Sequence, residues 1–301
     1  MPGRKYQQGN SSYRYSINGQ EKESELNENI TTALYWEYDS RLGRRWNLDP
    51  VKKPWQSDYA CFSNSPIWKV DPDGDDDYFN ADGSYNKKLS TPTGTKIYIA
   101  TANENMSFSQ FSADKANTKA SANIVGYYRG AAGISPKQTM GVSPNTSGLA
   151  YSNTSGIWVS TKGGANPLLN DSKNLTNTLN HEKFHQDNND PEKGKNMTFQ
   201  DHLNVYDSQM SDATFKETTN EFKAGMANNY AGYLLGGINS GEISTDKADK
   251  MISDFNTKNK SYGLSISEKN NFGTVELKSA GQTDKGKSTG WQNVKAQENA
   301  Q

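Results

Sequence analysis

The composition of the chain changes abruptly near residue 75, and this change constrains the fold more than any other feature. Four of the six tryptophans precede that point, together with a concentration of arginine and proline. The segment closes with the acidic run Asp-Pro-Asp-Gly-Asp-Asp-Asp at 71–77, which is typical of a turn or linker. We therefore expect three parts, namely residues 1–75, residues 78–280 and a polar tail over residues 281–301.

The hydrophobic pattern on the C-terminal side of residue 75 passes from strand-like to helical. Residues Thr95–Ala100 alternate with period two, and Ile157–Val159 form a short apolar run between glycines. Both patterns predict strands. From residue 170 onward apolar residues recur at helical spacing, and Asp171 or Ser172 is placed to cap a helix that runs through His185.

Two further helices are expected downstream. Thr214 and Glu217 have the spacing of a capping box, which predicts that a helix starts there. Thr245 precedes a third amphipathic pattern. The predicted fold class is therefore α+β, with a β-rich N-terminal fragment followed by a domain in which strands precede helices.

Composition excludes several classes of function. Lys plus Arg number 33 and Asp plus Glu 34, so the formal charge is −1. The chain also lacks the stripe of basic residues that is typical of nucleic-acid-binding proteins and nucleases. No stretch approaches the 18 apolar residues of a membrane span. The single cysteine, Cys61, excludes internal disulfides. Residues 1–16 are polar and lack the apolar core of a Sec signal peptide, so secretion or delivery is expected to use another route.

A series of short motifs runs through residues 13–74. These are Tyr-Arg-Tyr-Ser-Ile-Asn-Gly at 13–19, Tyr-Asp-Ser-Arg-Leu-Gly-Arg at 38–44, Asp-Pro at 49–50, Asn-Ser-Pro at 64–66 and Asp-Pro-Asp-Gly at 71–74. In this order the motifs resemble the RHS repeat-associated core domain of bacterial polymorphic toxins. The resemblance implies that this segment closes a β-cage built from upstream YD repeats. It also implies that a C-terminal effector follows.

The same resemblance implies self-cleavage of the chain near the final motif, with Asp49 and Asp71 as the residues concerned. This sequence departs from the family pattern at Asp75, which stands where a leucine commonly follows the glycine. The alternating aspartates could also suggest a calcium loop, but the glycine is misplaced for an EF-hand, so a solvated acidic linker is favoured.

Two of the three histidines lie in the segment His-Glu-Lys-Phe-His at 181–185, an HExxH motif. On a helix, His181 and His185 project from one face about one turn apart and can share a tetrahedral zinc ion. Glu182 lies between them and is expected to act as general base on metal-activated water rather than to bind the ion. The motif predicts zinc-dependent hydrolysis of peptide bonds.

A third ligand is expected from a second helix. Glu221 follows His185 by 36 residues and begins a Glu-x-x-Ala segment. An HExxH motif followed by such a segment is similar to the gluzincin-type metallopeptidase domains found as toxin effectors, over about residues 150–236. The resemblance implies a zincin-like domain that holds Zn²⁺ by His181, His185 and Glu221. It also implies that an edge strand, here Ile157–Ser160, holds an extended substrate.

Other residues compete for roles in this site. His202 follows His185 by 17 residues, which does not match the metzincin spacing, and a lone polar histidine is more often on the surface. Glu217 is better explained as a capping partner. Tyr206, Tyr230 and Tyr233 could stabilise an oxyanion, although aromatic residues at helical spacing usually belong to a core.

Two functional hypotheses follow from the sequence. The first is a secreted toxin effector with zinc peptidase activity, which acts on a protein or peptide substrate, is carried by an RHS cage and is blocked by a cognate immunity protein. The alternative is a non-enzymatic RHS fragment with a structural or interaction role, in which the HExxH motif is incidental.

Overall fold

The computed structural model describes residues 21–22, 29–33, 36–46, 48, 57, 59, 76–90, 95–188, 197–279, 283–284, 287–288 and 291–298. Asp49, Asp71 and Asp75 lie outside these residues. The chain divides into two compact units, Met1–Met106 and Ser107–Gln301. The boundary expected near residue 75 stays a prediction, because residues 60–75 are outside the described part.

The first sheet of the N-terminal unit is an antiparallel meander of four short strands in sequence order: β1 (Glu21–Lys22), β2 (Ile30–Ala33), β3 (Trp36–Asp39) and β4 (Arg44–Arg45). The buried carboxylate of Asp39 accepts hydrogen bonds from the backbone N–H groups of Arg41 and Leu42. Gly43 closes the turn with a φ of +67°. The Tyr-Asp-x-Arg-Leu-Gly motif therefore encodes a tight turn between β3 and β4.

The second sheet of this unit has the order β5 (Asp77–Asn80), β6 (Ile97–Ala100) and β7 (Asn105–Ser107), and β5 and β6 are parallel. The strand predicted over Thr95–Ala100 begins two residues later than expected. Alternate residues of β5 and β6 are buried, which explains the period-two pattern.

The C-terminal unit opens with two helices and a three-stranded sheet: α1 (Phe108–Phe111), α2 (Thr118–Tyr127), β8 (Met140–Ser143), β9 (Ala150–Asn153) and β10 (Gly156–Ser160). The strand expected at Ile157–Val159 is present as part of β10. Its expected position at the edge is wrong, because β10 pairs with β8 on one side and with β9 on the other. Burial on both faces accounts for its continuous apolar character.

Five helices follow: α3 (Ser172–Asn188), α4 (Phe199–Ser211), α5 (Ala213–Lys216), α6 (Asn220–Asn239) and α7 (Thr245–Asn259). Asp171 caps α3 as predicted, since its Oδ1 accepts hydrogen bonds from the N–H groups of Lys173 and Asn174. The long helix expected to start at Thr214 instead begins at Asn220 and is capped by Thr219. Thr214 belongs to the short α5, which Asp212 caps.

A second sheet of this unit has the order β11 (Ser265–Lys269), β12 (Thr274–Lys278) and β15 (Gln292–Val294); β13 (Thr283–Asp284) and β14 (Lys287–Ser288) form a separate pair. Helices α4, α6 and α7 pack with the three-stranded sheet around one hydrophobic core. Residues 292–294, expected in the polar tail, thus form a strand whose Val294 is buried.

The mixed architecture of helices and small sheets agrees with the predicted α+β class. Within the described parts of the chain, every helix is too short or too polar to cross a bilayer.

Candidate metal centre

Helix α3 carries the HExxH segment with its functional side chains turned into the protein. His181, Glu182 and His185 are all buried, with less than a tenth of each residue exposed. The helix packs against α4 and the sheet strands β9 and β10. Its start is fixed by the Asp171 cap, and so the position of the motif along the helix is fixed as well.

Helix α4 brings His202 to the same place. The first four backbone N–H groups of a helix, counted from the capping residue, lack partners within it, and here all four are satisfied. Glu242 accepts hydrogen bonds from the N–H groups of Phe199 and Gln200, the Thr198 hydroxyl accepts that of Asp201, and the Asp201 carboxylate accepts that of Thr198. His202 therefore stands in a well-anchored first turn.

The three histidines form one cluster. The Nε2 atoms of His181 and His185 are 3.0 Å apart. One ring nitrogen of His202 joins them so that the three nitrogens lie within 4.8 Å of one another. Among the described His, Cys, Asp and Glu residues, this is the one group of three or more that could hold a metal ion.

Glu221 does not join this cluster. It is exposed in the first turn of α6, where an acidic side chain interacts favourably with the helix N-terminus. Asn229, which lines the site, lies eight residues further along α6, about 12 Å at the rise of an α-helix. Glu217 is also outside the site, since its carboxylate pairs with the ammonium group of Lys173 at 2.6 Å.

Burial keeps the three imidazoles neutral. Loss of hydration lowers the pKa of His181 to about 3, that of His185 to about 2 and that of His202 to about 4. The neighbouring imidazoles further lower the pKa of His185, because two positive charges would repel each other. Neutral imidazoles have free lone pairs for metal binding even in mildly acidic solution.

Glu182 has the opposite response to the same environment. Burial raises the pKa of its carboxyl group to about 8, because the charged form loses hydration. A hydrogen bond from the Ser152 side chain on β9 stabilises the carboxylate and partly opposes this rise. Glu182 also raises the pKa values of Tyr206 and Tyr233, so its charge acts on both phenols.

A cleft of about 620 Å³ opens over this group of residues. Its walls come from the segment around β9 and from α3, α4 and α6. The lining residues that flank the histidines and Glu182 are Leu149, Tyr151, Ser152, Tyr206, Met226, Asn229 and Tyr233. Of the three tyrosines considered from the sequence, Tyr206 and Tyr233 line the cleft, whereas Tyr230 packs against Phe255.

The donor set fits a divalent metal ion. Nδ1 of His181 contacts Oε1 of Gln209 at 2.8 Å, and this amide oxygen can only accept, so the Nε2 lone pair of His181 is free. Nδ1 of His185 and Nδ1 of His202 are buried without a hydrogen-bond partner among the described residues. Three neutral imidazoles are a common set of ligands for zinc and related ions.

Comparison with protein families agrees with this chemistry. Residues 77–265 match the model described as metallopeptidase toxin 2, which covers well over half of the chain. The chain belongs to the metallopeptidase toxin 2 family. No curated protein and no solved structure matches it.

Membership of this family, together with the histidine cluster, supports a metallopeptidase of the toxin-effector class that uses a metal ion. It also favours the enzymatic hypothesis over an incidental HExxH motif. The matched range contains α3, α4 and α6 entirely, so every helix that forms the cleft belongs to the family domain.

His202 ranked behind Glu221 as the third ligand expected from the sequence, and the structure brings it to the other two histidines. A signal was present: Thr198 and Asp201 have capping-box geometry, and Leu203, Tyr206 and Met210 follow at helical spacing. His202 precedes Tyr206 by four residues on this pattern, which would have placed it on a buried face.

Proposed function

We propose that this protein is a zinc-dependent peptidase in which His181, His185 and His202 hold the metal and Glu182 is the general base. The observation that supports this most is the cluster of three buried imidazoles beside a buried glutamate in one cleft. The proposed set replaces the gluzincin set expected from the sequence, because Glu221 is exposed and outside the cluster.

A zinc ion held there would supply Lewis-acid activation of water and of the peptide carbonyl, and its charge would favour the ionised form of Glu182. Glu182 then accepts a proton from the attacking water and delivers it to the leaving amine. The Ser152 hydroxyl orients the carboxylate through its hydrogen bond. Burial excludes bulk water from the carboxylate, which strengthens its interaction with the reacting groups.

Strand β9 is proposed to hold the substrate backbone, in place of the β10 residues expected from the sequence. It is one of the two edge strands of its sheet among the described strands, and its residues Ala150, Tyr151 and Ser152 line the cleft. An extended peptide can add to such an edge through main-chain hydrogen bonds. Ser152 would then connect the general base to the strand that holds the substrate, because Ser152 belongs to β9 and bonds to Glu182.

Tyr206 is proposed to donate a hydrogen bond to the oxygen that becomes negatively charged. Its side chain is bonded to Asn229, and this bond favours the phenolate, as expected when the amide N–H donates to the phenol oxygen. The Tyr206 proton is then available to a ligand in the cleft. Burial raises the pKa of Tyr206, so the group stays a donor across the physiological range.

The test is zinc content together with peptidase activity of the full chain. We expect one zinc ion per chain and cleavage of a peptide library. Glu182→Gln should keep the zinc and lose 10²–10⁴-fold in activity, the range typical of a removed general base. Absence of zinc from protein never exposed to a chelator would contradict the metal assignment. Equal activity of the two forms would contradict the role of Glu182.

The biological setting is proposed from the family and from the motifs of residues 1–75. Toxin membership supports delivery to a target cell and a neutralising immunity partner, which would most simply cover β9 and the cleft. Wild-type chain expressed in the cytoplasm or periplasm of a bacterium should slow growth in at least one compartment, whereas Glu182→Gln should not. Equal toxicity of both forms would show that the harm is not proteolytic.

The RHS core and its self-cleavage at Asp49 or Asp71 also remain proposals. An isolated fragment of residues 1–75 should lack a cooperative unfolding transition, because short strands need further layers to cover them. Cooperative thermal unfolding of that fragment would contradict the cage hypothesis.

A further inference from the structure

Behind the histidine cluster, a row of hydrogen bonds leads away from His181. Gln209 on α4 is fully buried, and its Oε1 lies 2.8 Å from Nδ1 of His181. Its Nε2 donates to Oδ1 of Asn177 at 2.8 Å, and Asn177 on α3 is fully buried as well. The two amides therefore link the ligand-bearing helices directly behind the metal site.

The row continues to a carboxylate. Nδ2 of Asn177 donates to the hydroxyl of Thr214 at 2.8 Å, and that hydroxyl donates to Oδ1 of Asp212 at 2.7 Å. Asp212 caps the short α5 and is only half-buried. The hydrogen bonds thus run from a buried imidazole to a carboxylate close to the surface.

The carboxylate sets the direction of the bonds through Thr214, and the backbone carbonyl of Gln209, 3.5 Å from Nδ2 of Asn177, favours the same orientation of the Asn177 amide. An ionised carboxylate can only accept, so the Thr214 hydroxyl must donate to it and accept from Asn177. The amide of Asn177 then presents its oxygen to Gln209, and Gln209 presents its oxygen to His181. An oxygen at that position requires a proton on Nδ1 of His181 and leaves the lone pair on Nε2.

We propose that Gln209, oriented by Asn177, Thr214 and Asp212, is a positioning residue that holds His181 in the tautomer able to bind the metal. Without a fixed direction, the Gln209 amide could rotate by 180° and donate to Nδ1. His181 would then carry its proton on Nε2, the atom that faces His185, and could not bind metal there. The metal-affinity part of this inference rests on the proposed function, whereas the tautomer part does not.

Thr214 offers the cleanest test, because it lies outside the cleft lining and its backbone N–H keeps the Asp212 cap in any variant. Thr214→Val removes the hydroxyl at nearly constant shape, and Thr214→Ser keeps it. Ser208→Ala is the control: Ser208 precedes Gln209 on α4, and its hydroxyl donates to the backbone carbonyl of Asn204, away from the row. All are made in the full chain.

Two quantities are measured. The first is the zinc dissociation constant by competition with a chelator, and the second is the tautomer of His181 in metal-free protein by ¹⁵N NMR of the imidazole. Thr214→Val should weaken zinc binding 10–100-fold, the range found for residues that orient metal-binding side chains, and should introduce the Nε2–H tautomer. Thr214→Ser and Ser208→Ala should match the wild type in both measurements.

A second substitution covers the case in which Thr214→Val fails to fold. Gln209→Glu keeps an acceptor for Nδ1 of His181 and should keep its tautomer, whereas Gln209→Leu should not. Unchanged zinc affinity and tautomer in Thr214→Val or in Gln209→Leu would overturn the proposal. If the wild type binds no zinc but Thr214→Val still alters the tautomer, the proposed function fails and the positioning role stands.

Discussion

The rings of His202 and Tyr233 lie face to face, with centroids 4.3 Å apart and planes inclined by only 8°. Because Nδ1 of His202 has no hydrogen-bond partner among the described residues, this stacking is a main constraint on the orientation of its ring. His181 is oriented differently, through its hydrogen bond to Gln209. The histidines of the site are therefore held by two different kinds of contact.

The first prediction concerns this stacking. Tyr233→Ala should weaken zinc binding by roughly 2–12-fold, the equivalent of the 0.5–1.5 kcal/mol typical of an aromatic pair. Tyr233→Phe keeps the ring and should bind zinc like the wild type. Chelator competition on both variants distinguishes the contribution of the ring from that of the hydroxyl, and a large loss in Tyr233→Phe would contradict the stacking explanation.

The second prediction decides between the two candidate third ligands. His202→Ala should lose stoichiometric zinc, because only two imidazoles then remain. Glu221→Gln should keep one zinc ion per chain, since Glu221 is exposed and outside the cluster. Elemental analysis of both variants provides the measurement. The reverse result would restore the gluzincin-like set predicted from the sequence.

The third prediction is the pH dependence of stability in metal-free protein. The folded pKa values of the three histidines lie below the unfolded value of 6.5, so the unfolded chain binds more protons as the pH falls below 6.5. Each histidine then costs up to about 1.4 kcal/mol per pH unit until its folded pKa is reached. The free energy of unfolding should therefore decrease as the pH falls below 6.5.

Glu182 has the opposite effect on the pH dependence of stability. Its folded pKa of about 8 lies above the unfolded value of 4.5, so it contributes stability that is lost as the pH rises through this range. Metal-free protein should therefore be most stable near pH 6.5–7. At this pH the buried histidines no longer reduce the free energy of unfolding, and Glu182 still keeps part of its stabilising contribution. Urea unfolding from pH 4.5 to 8.5 measures this. Glu182→Gln should remove the alkaline decline and make the acidic decline steeper, because Glu182 opposes the histidines between pH 4.5 and 8.

The fourth prediction concerns the capping of α4 by a distant residue. Glu242→Ala removes the acceptor of two N–H groups in the first turn and should reduce the free energy of unfolding by about 0.5–2 kcal/mol. Asp249→Ala, a change of the same kind at an exposed position on α7, should have a smaller effect. Equal losses in chemical denaturation would show that the cap contributes nothing specific.

The fifth prediction uses two glycines of α6 as a matched pair. A Cβ at Gly236 would lie 2.5 Å from the carbonyl oxygen of Gln297 and from the ring of Phe199, so Gly236→Ala should destabilise the protein. A Cβ at Gly225 would meet nothing within 4 Å. Gly225→Ala should therefore stabilise the helix by about 0.5–1 kcal/mol. Thermal unfolding of both variants checks the opposite signs.

The parts of the site that depend on local chemistry were predictable. The Asp171 cap, the helical HExxH segment and its shared face follow from residues within one or two turns of each other. The class of fold also followed, because periodicity separates strands from helices.

The parts that depend on how elements pack were not predictable. Whether β10 is central or at the edge is set by its pairing with β8, which is distant in the chain. His202 becomes a neighbour of His181 only because α4 packs on α3 and Glu242, 43 residues from Phe199, anchors the start of α4. Spacing rules taken from other peptidases favoured Glu221, and the local pattern around His202 indicated a buried helix face but not which helix it would meet.

The segment that follows β15 packs on α6, so the packing of α6 can be completed only late in synthesis. The N–H group of Gln297 bonds to the carbonyl of Gly232, next to Tyr233 on α6. The ribosome therefore adds 95 residues between His202 and the residue that closes this contact, which takes about 5–20 s at bacterial rates. During that interval the nascent chain carries all three histidines before the helix that stacks on His202 is fully packed.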